Sequence, residues 1–373
     1  MKGTLRWWTF IGSKAMRGPA ATKAQQGTAD PGDGTTRHDM SDDRIVRPRL
    51  RQALCALALA TLPGCSGVQH VLAPAGTDAG FLANLFWIML AGAVVLWIFM
   101  NGLMVYVTRI NVRQMSPKKA EALIIGGGIV FPTVVIACLL SYALAAMPDM
   151  RAEGTGTRLK VTGEQWWWRV EYWPEGADAP IVSANEIVLP AGSRSEIALT
   201  ADKVIHSFWV PALGGKTDMF PGRETRMSLE PLEPGTYRGQ CTEFCGDSHA
   251  WMAFNTVVLP QEEYDAWLEN AATDAVAPEG EAATRGREVF FAEGCGACHQ
   301  VRGTAATGKV GPDLTHLGSR TSLAAGTLPL DEPSLIRWVR DAKAVKPGAE
   351  MPAYDHLSDD DLSDLAAYLE GLI

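Results

Sequence analysis

Two long apolar runs constrain this chain more than any other feature. Residues 81–107 are almost wholly apolar, with Asn84 and Asn101 as the strongly polar interruptions, and residues 123–147 form a second such run. Each is longer than the ~20 residues that cross a hydrocarbon core. Two uncharged runs of this length with one short connector predict a hairpin of spanning helices, over about 81–108 and 122–147. The connector carries Arg109, Arg113, Lys118 and Lys119. A basic connector lies on the cytoplasmic side, so both outer ends of the hairpin lie on the far side. The rest of the chain, residues 151–373, then belongs to that far side.

A second signal agrees. Arg44, Arg47, Arg49 and Arg51 precede a short apolar stretch, 53–62, and then Leu62-Pro63-Gly64-Cys65. This is the order of a secretory signal. Its Leu-x-Gly-Cys end resembles a bacterial lipobox, which implies that Cys65 is lipidated. Translation is therefore expected to start at Met40, with 1–39 a start-site artefact or a disordered segment and 40–65 the signal. Together the two signals predict a multi-pass protein of a bacterial inner membrane, its large C-terminal part periplasmic.

Charge divides the chain in the same place. Residues 1–150 hold 14 Lys+Arg and 8 Asp+Glu, and residues 151–373 hold 19 and 34. An acidic soluble part is a poor nucleic-acid binder and suits a basic protein partner. Its first section, 151–270, alternates short β-like runs with Pro and Gly: 159–161, 166–172, 187–189, 195–199, 225–229, 235–240 and 253–259. Such a series predicts a sandwich or barrel. A helix is expected over 261–269 and an Ala/Pro/Glu/Gly linker over 271–283. Residues 284–373 follow with three helices, at 285–293, 332–342 and 359–372. Ser358, before three Asp, is a good cap for the last one.

Of the seven cysteines, four form two close pairs in ligand-like settings. The first pair lies in Cys241-Thr242-Glu243-Phe244-Cys245-Gly246-Asp247-Ser248-His249-Ala250-Trp251-Met252, and His206 offers a second imidazole. Thiolate, imidazole and thioether donors select copper, zinc or iron–sulfur. A closed structural zinc site has no use for Met252. A single blue copper needs only one Cys, so the extra thiolate points to two coppers. A Cys-x-x-x-Cys alone is more often a redox dithiol, and a Trp cluster is usually core. Neither bland reading accounts for His206, His249 and Met252 together.

The second pair is Cys295-Gly296-Ala297-Cys298-His299, a C-x-x-C-H haem-attachment pattern. The two thiols would take the haem vinyl groups and His299 would face the iron. Met351 is the one methionine beyond Met252. His/Met ligation is one of the modes of electron-carrying c-type haem. His316 and His356 read as surface or propionate-side residues.

The pattern C-x-E-x-C-G-x-x-H-x-x-M resembles cytochrome c oxidase subunit II. So do His206-Ser207-Phe208-Trp209-Val210-Pro211, Lys216-Thr217-Asp218-Met219-Phe220-Pro221-Gly222-Arg223 and Gly163-Glu164-Gln165-Trp166-Trp167-Trp168. The resemblance implies a cupredoxin-like Greek-key sandwich holding a binuclear CuA centre. Its ligands would be His206, Cys241, the Glu243 carbonyl, Cys245, His249 and Met252. The Glu243 side chain would meet magnesium at a shared face with subunit I, and Trp166 would receive electrons. Residues 284–373 resemble class I cytochrome c, with Gly311-Pro312-Asp313-Leu314 behind His299 and Met351-Pro352 on the distal side. The implied whole is multidomain: a transmembrane hairpin, an all-β CuA domain, then an all-α cytochrome c.

Two positions depart from the family. Lys203 stands where an acidic docking residue is common, three before His206. Ile125 stands where the second membrane helix often has a Glu, and Glu121 is one turn away. The function implied is that of the electron-input subunit of a proton-pumping haem–copper terminal oxidase, a ferrocytochrome c:oxygen oxidoreductase whose oxygen site lies on another subunit. Subunits I and III, and a cytochrome c or bc-type donor, are the implied partners. The alternatives are a CuA subunit of a nitric oxide reductase and a non-enzymatic membrane electron carrier. With seven His in the chain, too few remain for the His-rich cluster of a nitrous oxide reductase.

Overall fold

The computed structural model describes Gly67 and residues 69–110, 115–154 and 156–373. The expectations for 1–39, the signal, Cys55, Cys65 and Arg113 lie outside the described residues. Helices α1 (Thr77–Ile110) and α2 (Pro117–Met150) are each long and apolar enough to cross a membrane. They extend three to six residues beyond the apolar runs at each end, because backbone pairing continues past the last apolar residue. Their apolar side chains face outward: Trp97 is 68% exposed and Ile124 66%. Among soluble helices such surfaces are buried, so this pair forms a membrane anchor.

Ten strands follow. They are β1 (Arg158–Gly163), β2 (Trp168–Tyr172), β3 (Ile181–Ala184), β4 (Glu186–Pro190), β5 (Ser195–Ala201), β6 (His206–Trp209), β7 (Thr217–Met219), β8 (Thr225–Leu229), β9 (Gly235–Cys241) and β10 (Ala253–Leu259). They form two five-stranded sheets, ordered β3-β2-β1-β5-β8 and β4-β10-β9-β6-β7. β1 pairs with β5, and β4 with β10, in parallel, and the remaining pairs are antiparallel. In β1, β2 and β5 buried residues alternate with half-buried or exposed ones, as one-sided packing requires. The inner faces meet around Trp168, whose ring centroid lies 5.0 Å from that of Phe254 and 5.9 Å from that of Phe208. Helix α3 (Gln261–Ala271) lays Trp267 edge-on against Tyr172.

The strand expected over 166–172 begins at Trp168. Residues 164–167 turn instead, with Glu164 N–H donating to the Trp167 carbonyl at 2.9 Å. That turn leaves Trp166 outside the ladder and free to face other parts of the molecule.

The C-terminal module holds α4 (Glu281–Ala292), α5 (Glu332–Arg340), α6 (Ala342–Val345) and α7 (Asp359–Glu370). Asp331 caps α5 and Ser358 caps α7, each accepting a backbone N–H in its first turn. The single helix expected over 332–342 breaks at Asp341, whose side chain caps α6 instead. α4 and α7 cross at Gly286, where a Cβ would fall 1.8 Å from the Asp364 carbonyl oxygen. Only glycine permits that approach. The stretch read as a linker is partly pinned down: Arg302 Nη2 donates to the Thr273 carbonyl at 2.9 Å, and α4 starts at Glu281.

Arg285 on α4 clasps Asp364 on α7 with both arms, at 2.6 and 2.8 Å. The guanidinium holds the Asp364 carboxyl below its ordinary value of 3.8. A depressed carboxylate contributes its stability above the unfolded value, and loses it as pH falls through the folded one. The thermal midpoint of the C-terminal module will therefore drop on acidification below 3.8. Asp364→Asn will start lower at neutral pH and drop less; parallel melting curves check this.

Candidate metal and haem centres

The loop between β9 and β10 carries most of the first donor set. Cys241 ends β9, Cys245 follows on the turn, and His249 opens a short 3-10 turn, His249–Trp251. Met252 N–H closes that turn on the His249 carbonyl at 3.2 Å, and Cys241 N–H donates to the Met252 carbonyl at 2.9 Å. The loop is thus tied shut at its base. His206 arrives from β6, because β6 pairs with β9 in a register that sets Phe208 opposite Cys241.

All six expected ligands converge. The two thiol sulfurs lie 3.8 Å apart. Cys241 Sγ lies 3.7 Å from His206 Nδ1 and 3.2 Å from the Glu243 carbonyl oxygen. Cys245 Sγ lies 3.5 Å from His249 Nδ1 and 3.8 Å from Met252 Sδ. The sulfurs are too far apart for a disulfide, whose bond is about 2.05 Å. Cys241, Cys245, Met252 and His206 are all nearly inaccessible. A hydrogen bond between the thiols pulls Cys241 below its ordinary value and pushes Cys245 up. The shared hydrogen bond favours one thiolate of the pair, and the donors are as soft as copper prefers. Each thiol has its own imidazole, and one has a carbonyl where the other has a thioether. That paired arrangement fits two bridged coppers better than a single ion.

The Glu243 side chain is exposed, as an interface ligand would need. Glu121 is exposed on α2. Lys203, at the family's acidic position, pairs with Glu350 of the C-terminal module at 3.0 Å.

The second donor set lines one apolar cleft of about 230 Å³. Cys295, Cys298, His299 and Met351 all border it, with Phe290, Leu335 and Trp338 among its apolar walls. His299 Nδ1–H donates to the Pro312 carbonyl at 2.8 Å. That bond selects the tautomer and leaves Nε2 free for iron. Burial pushes the His299 imidazole below its ordinary value, which keeps it neutral and able to ligate. Arg320, overlooked in the sequence, also borders the cleft. It donates through Nη2 to the Asp313 carbonyl, and among the described residues its buried Nε has no partner. A buried guanidinium short of a partner calls for an anion, and haem carries two carboxylates. The residues present therefore fit a c-type haem. His316 and His356 stay outside: His316 Nε2–H donates to the Thr273 carbonyl at 3.2 Å, and His356 pairs with Glu293 at 2.9 Å.

Trp166 connects the two centres. Its Nε1–H donates to the Cys245 carbonyl at 3.0 Å, and its residue also borders the haem cleft. Lys346 was overlooked as well. It is 3% exposed and donates to the Trp166 carbonyl at 2.6 Å. Burial pushes its ammonium down to about 7, opposed by the nearby Cys245 sulfur. Charged or neutral, the amine still has hydrogens to donate. The signal available in sequence was its place in Lys346-Pro347-Gly348, just before Met351.

Comparison with known proteins agrees with this architecture. The family described as cytochrome c oxidase subunit II, periplasmic domain, matches residues 174–259, and the family described as cytochrome c matches 283–372. Cytochrome c oxidase subunit 2 of Alkalihalophilus pseudofirmus is 41% identical over 60% of this chain and 64% of its own length. The subunit 2 of Bacillus sp. strain PS3 is 34% identical over 65% of this chain and 69% of its own. The chain thus spans about two thirds of the length of these relatives. Among solved structures, the periplasmic domain of subunit II from Bradyrhizobium japonicum is 31% identical over 33% of this chain and 96% of that domain, with a TM-score of 0.30. With two membrane-length helices before a matched subunit II domain and a matched cytochrome c domain behind it, the chain belongs to the cytochrome c oxidase subunit 2 family, in a form that carries a C-terminal cytochrome c.

Proposed function

We propose that this chain is the electron-input subunit of a proton-pumping haem–copper terminal oxidase, anchored in a bacterial inner membrane with both redox modules on the periplasmic side. The observation that carries the reading is the double contact of Trp166. One residue hydrogen-bonds the backbone of a copper ligand and borders the haem cleft. When bound, the copper pair and the covalent haem c supply reversible one-electron chemistry.

The chain's own residues do the rest. His206, Cys241, Cys245, His249, Met252 and the Glu243 carbonyl hold copper in a closed, dry site. Cys295 and Cys298 would tether the haem, and His299 and Met351 would hold its iron. Trp166 gives the two modules a shared contact, and cytochrome c or a bc-type complex would be the electron donor and subunit I the acceptor. The Glu243 side chain, exposed beside the copper loop, would share magnesium with subunit I, and subunit III would complete the assembly.

Purified with its partner subunits, the complex should show a near-infrared copper band and a c-type α-band, and one of them missing would sink the reading. Trp166→Ala should keep both bands and slow copper reduction by roughly tenfold or more, since small misplacements of reacting groups cost rate steeply. Stopped-flow reduction followed at both bands checks this.

A further inference from the structure

One short stretch of chain, 346–351, serves both centres. At its far end Met351 borders the haem cleft. Along its length it grips the copper module. Lys346 Nζ donates to the Trp166 carbonyl at 2.6 Å and to the Ala324 carbonyl at 3.1 Å. Ser248 Oγ–H, inside the copper loop, donates to the Pro347 carbonyl at 2.6 Å. Gly348 has φ +80° and lies on the indole, where a Cβ would come 2.6 Å from Trp166 ring carbons. Glu350 pairs with Lys203 at 3.0 Å.

Magnitudes decide which contact matters. Lys203 and Glu350 are 53% and 70% exposed, and such pairs contribute little and weaken with salt. Lys346 is enclosed, its described partners are carbonyls, and removing it would leave the Trp166 and Ala324 carbonyls short of a donor at the join. A lysine is rarely enclosed in this way unless its contacts hold it there.

We propose that Lys346 is a positioning residue that clamps the distal-ligand stretch of the cytochrome module onto the backbone of Trp166, so that the resting arrangement of the two modules is already the electron-transferring one. Docking then rests on buried contacts and not on surface charge. The proposal builds on the copper–haem reading above and adds to it a fixed, salt-insensitive join. The transfer that reports on it is simple: one electron leaves ferrous haem, which becomes ferric, and the copper pair gains it. No proton moves and no bond is made or broken.

The test uses the complete complex with Lys346→Met. Both absorption bands and the haem midpoint potential should match the unmodified complex. Haem-to-copper transfer after a reducing pulse should fall about tenfold or more and should acquire a dependence on salt, because the exposed pair then carries a larger share of the join. Amides of 164–168 and 345–350 should exchange hydrogen faster. In the unmodified complex the rate should be the same at low and high salt, and Lys203→Glu should change it less than about twofold. If Lys346→Met fails to take up haem, Gly348→Ala is the substitute, since its added methyl meets the Trp166 ring and should slow transfer in the same way. An unchanged rate with unchanged amide protection in the variant that folds overturns the clamp, as does a steep salt dependence in the unmodified complex. A missing copper or haem band in the unmodified complex overturns the underlying reading instead.

Discussion

Cys241→Ser will empty the copper site while leaving the haem in place. Even outer residues of a metal site cost about 10–100-fold in affinity when removed, and Cys241 would be a direct ligand, so the loss should exceed about 100-fold. Cys241 is the hub of the donor set, with the other thiol, His206 and the Glu243 carbonyl around its sulfur. Serine offers a hard, protonated oxygen in its place, a poor match for copper. Metal analysis should find copper close to background, the near-infrared band should vanish and oxygen consumption should stop. The c-type α-band should persist, because Cys295, Cys298 and His299 border a cleft of the C-terminal module, whose hydrophobic core is separate from that of the sandwich. A variant that retained copper or full turnover would refute the assignment.

Arg194→Ala will have the largest effect on stability. The Arg194 guanidinium meets Asp78 with both arms, at 2.9 and 3.1 Å, and also reaches Glu230 at 3.0 Å and Ser228 at 3.1 Å. Ser228 in turn donates to the Met150 carbonyl at 3.2 Å. Asp78 sits in the first turn of α1 and Met150 ends α2, so this cluster joins both membrane helices to the sandwich. The hydrogen bond to Asp78 raises the Arg194 pKa further, so its charge is never in question. Alanine would leave the Asp78 carboxylate enclosed without its partner, which costs about 3–5 kcal/mol. Replacing both, as Asp78→Leu with Arg194→Met, should restore most of that loss, because neither charge is then stranded. Denaturant midpoints in detergent, measured for the single and double variants, separate the two outcomes.

Much of this molecule is readable along the chain. The hairpin is legible because a membrane imposes a length and a lack of charge that few soluble segments meet. The copper loop is legible because Cys241, Cys245, His249 and Met252 fall within one turn-rich segment, where spacing alone brings donors together. Strand β6 escaped notice although it carries His206. It has four residues and three successive buried ones, so the period of two that marks a strand never develops. β3 and β7, at four and three residues, are too short for the period of two to develop. The departure at Lys203 was visible, but its meaning was not, because its partner Glu350 lies 147 positions away.

The chain by itself determined which atoms are available: soft donors in two clusters and a membrane anchor. Those follow from local spacing and composition, which short-range sterics and solvation act upon directly. Tertiary structure decided how the clusters meet. His206 joins the copper set only through the β6–β9 ladder, and Lys346 reaches Trp166 across 180 positions. Contacts at that separation are set by how whole modules pack, since no local preference of either segment specifies the other.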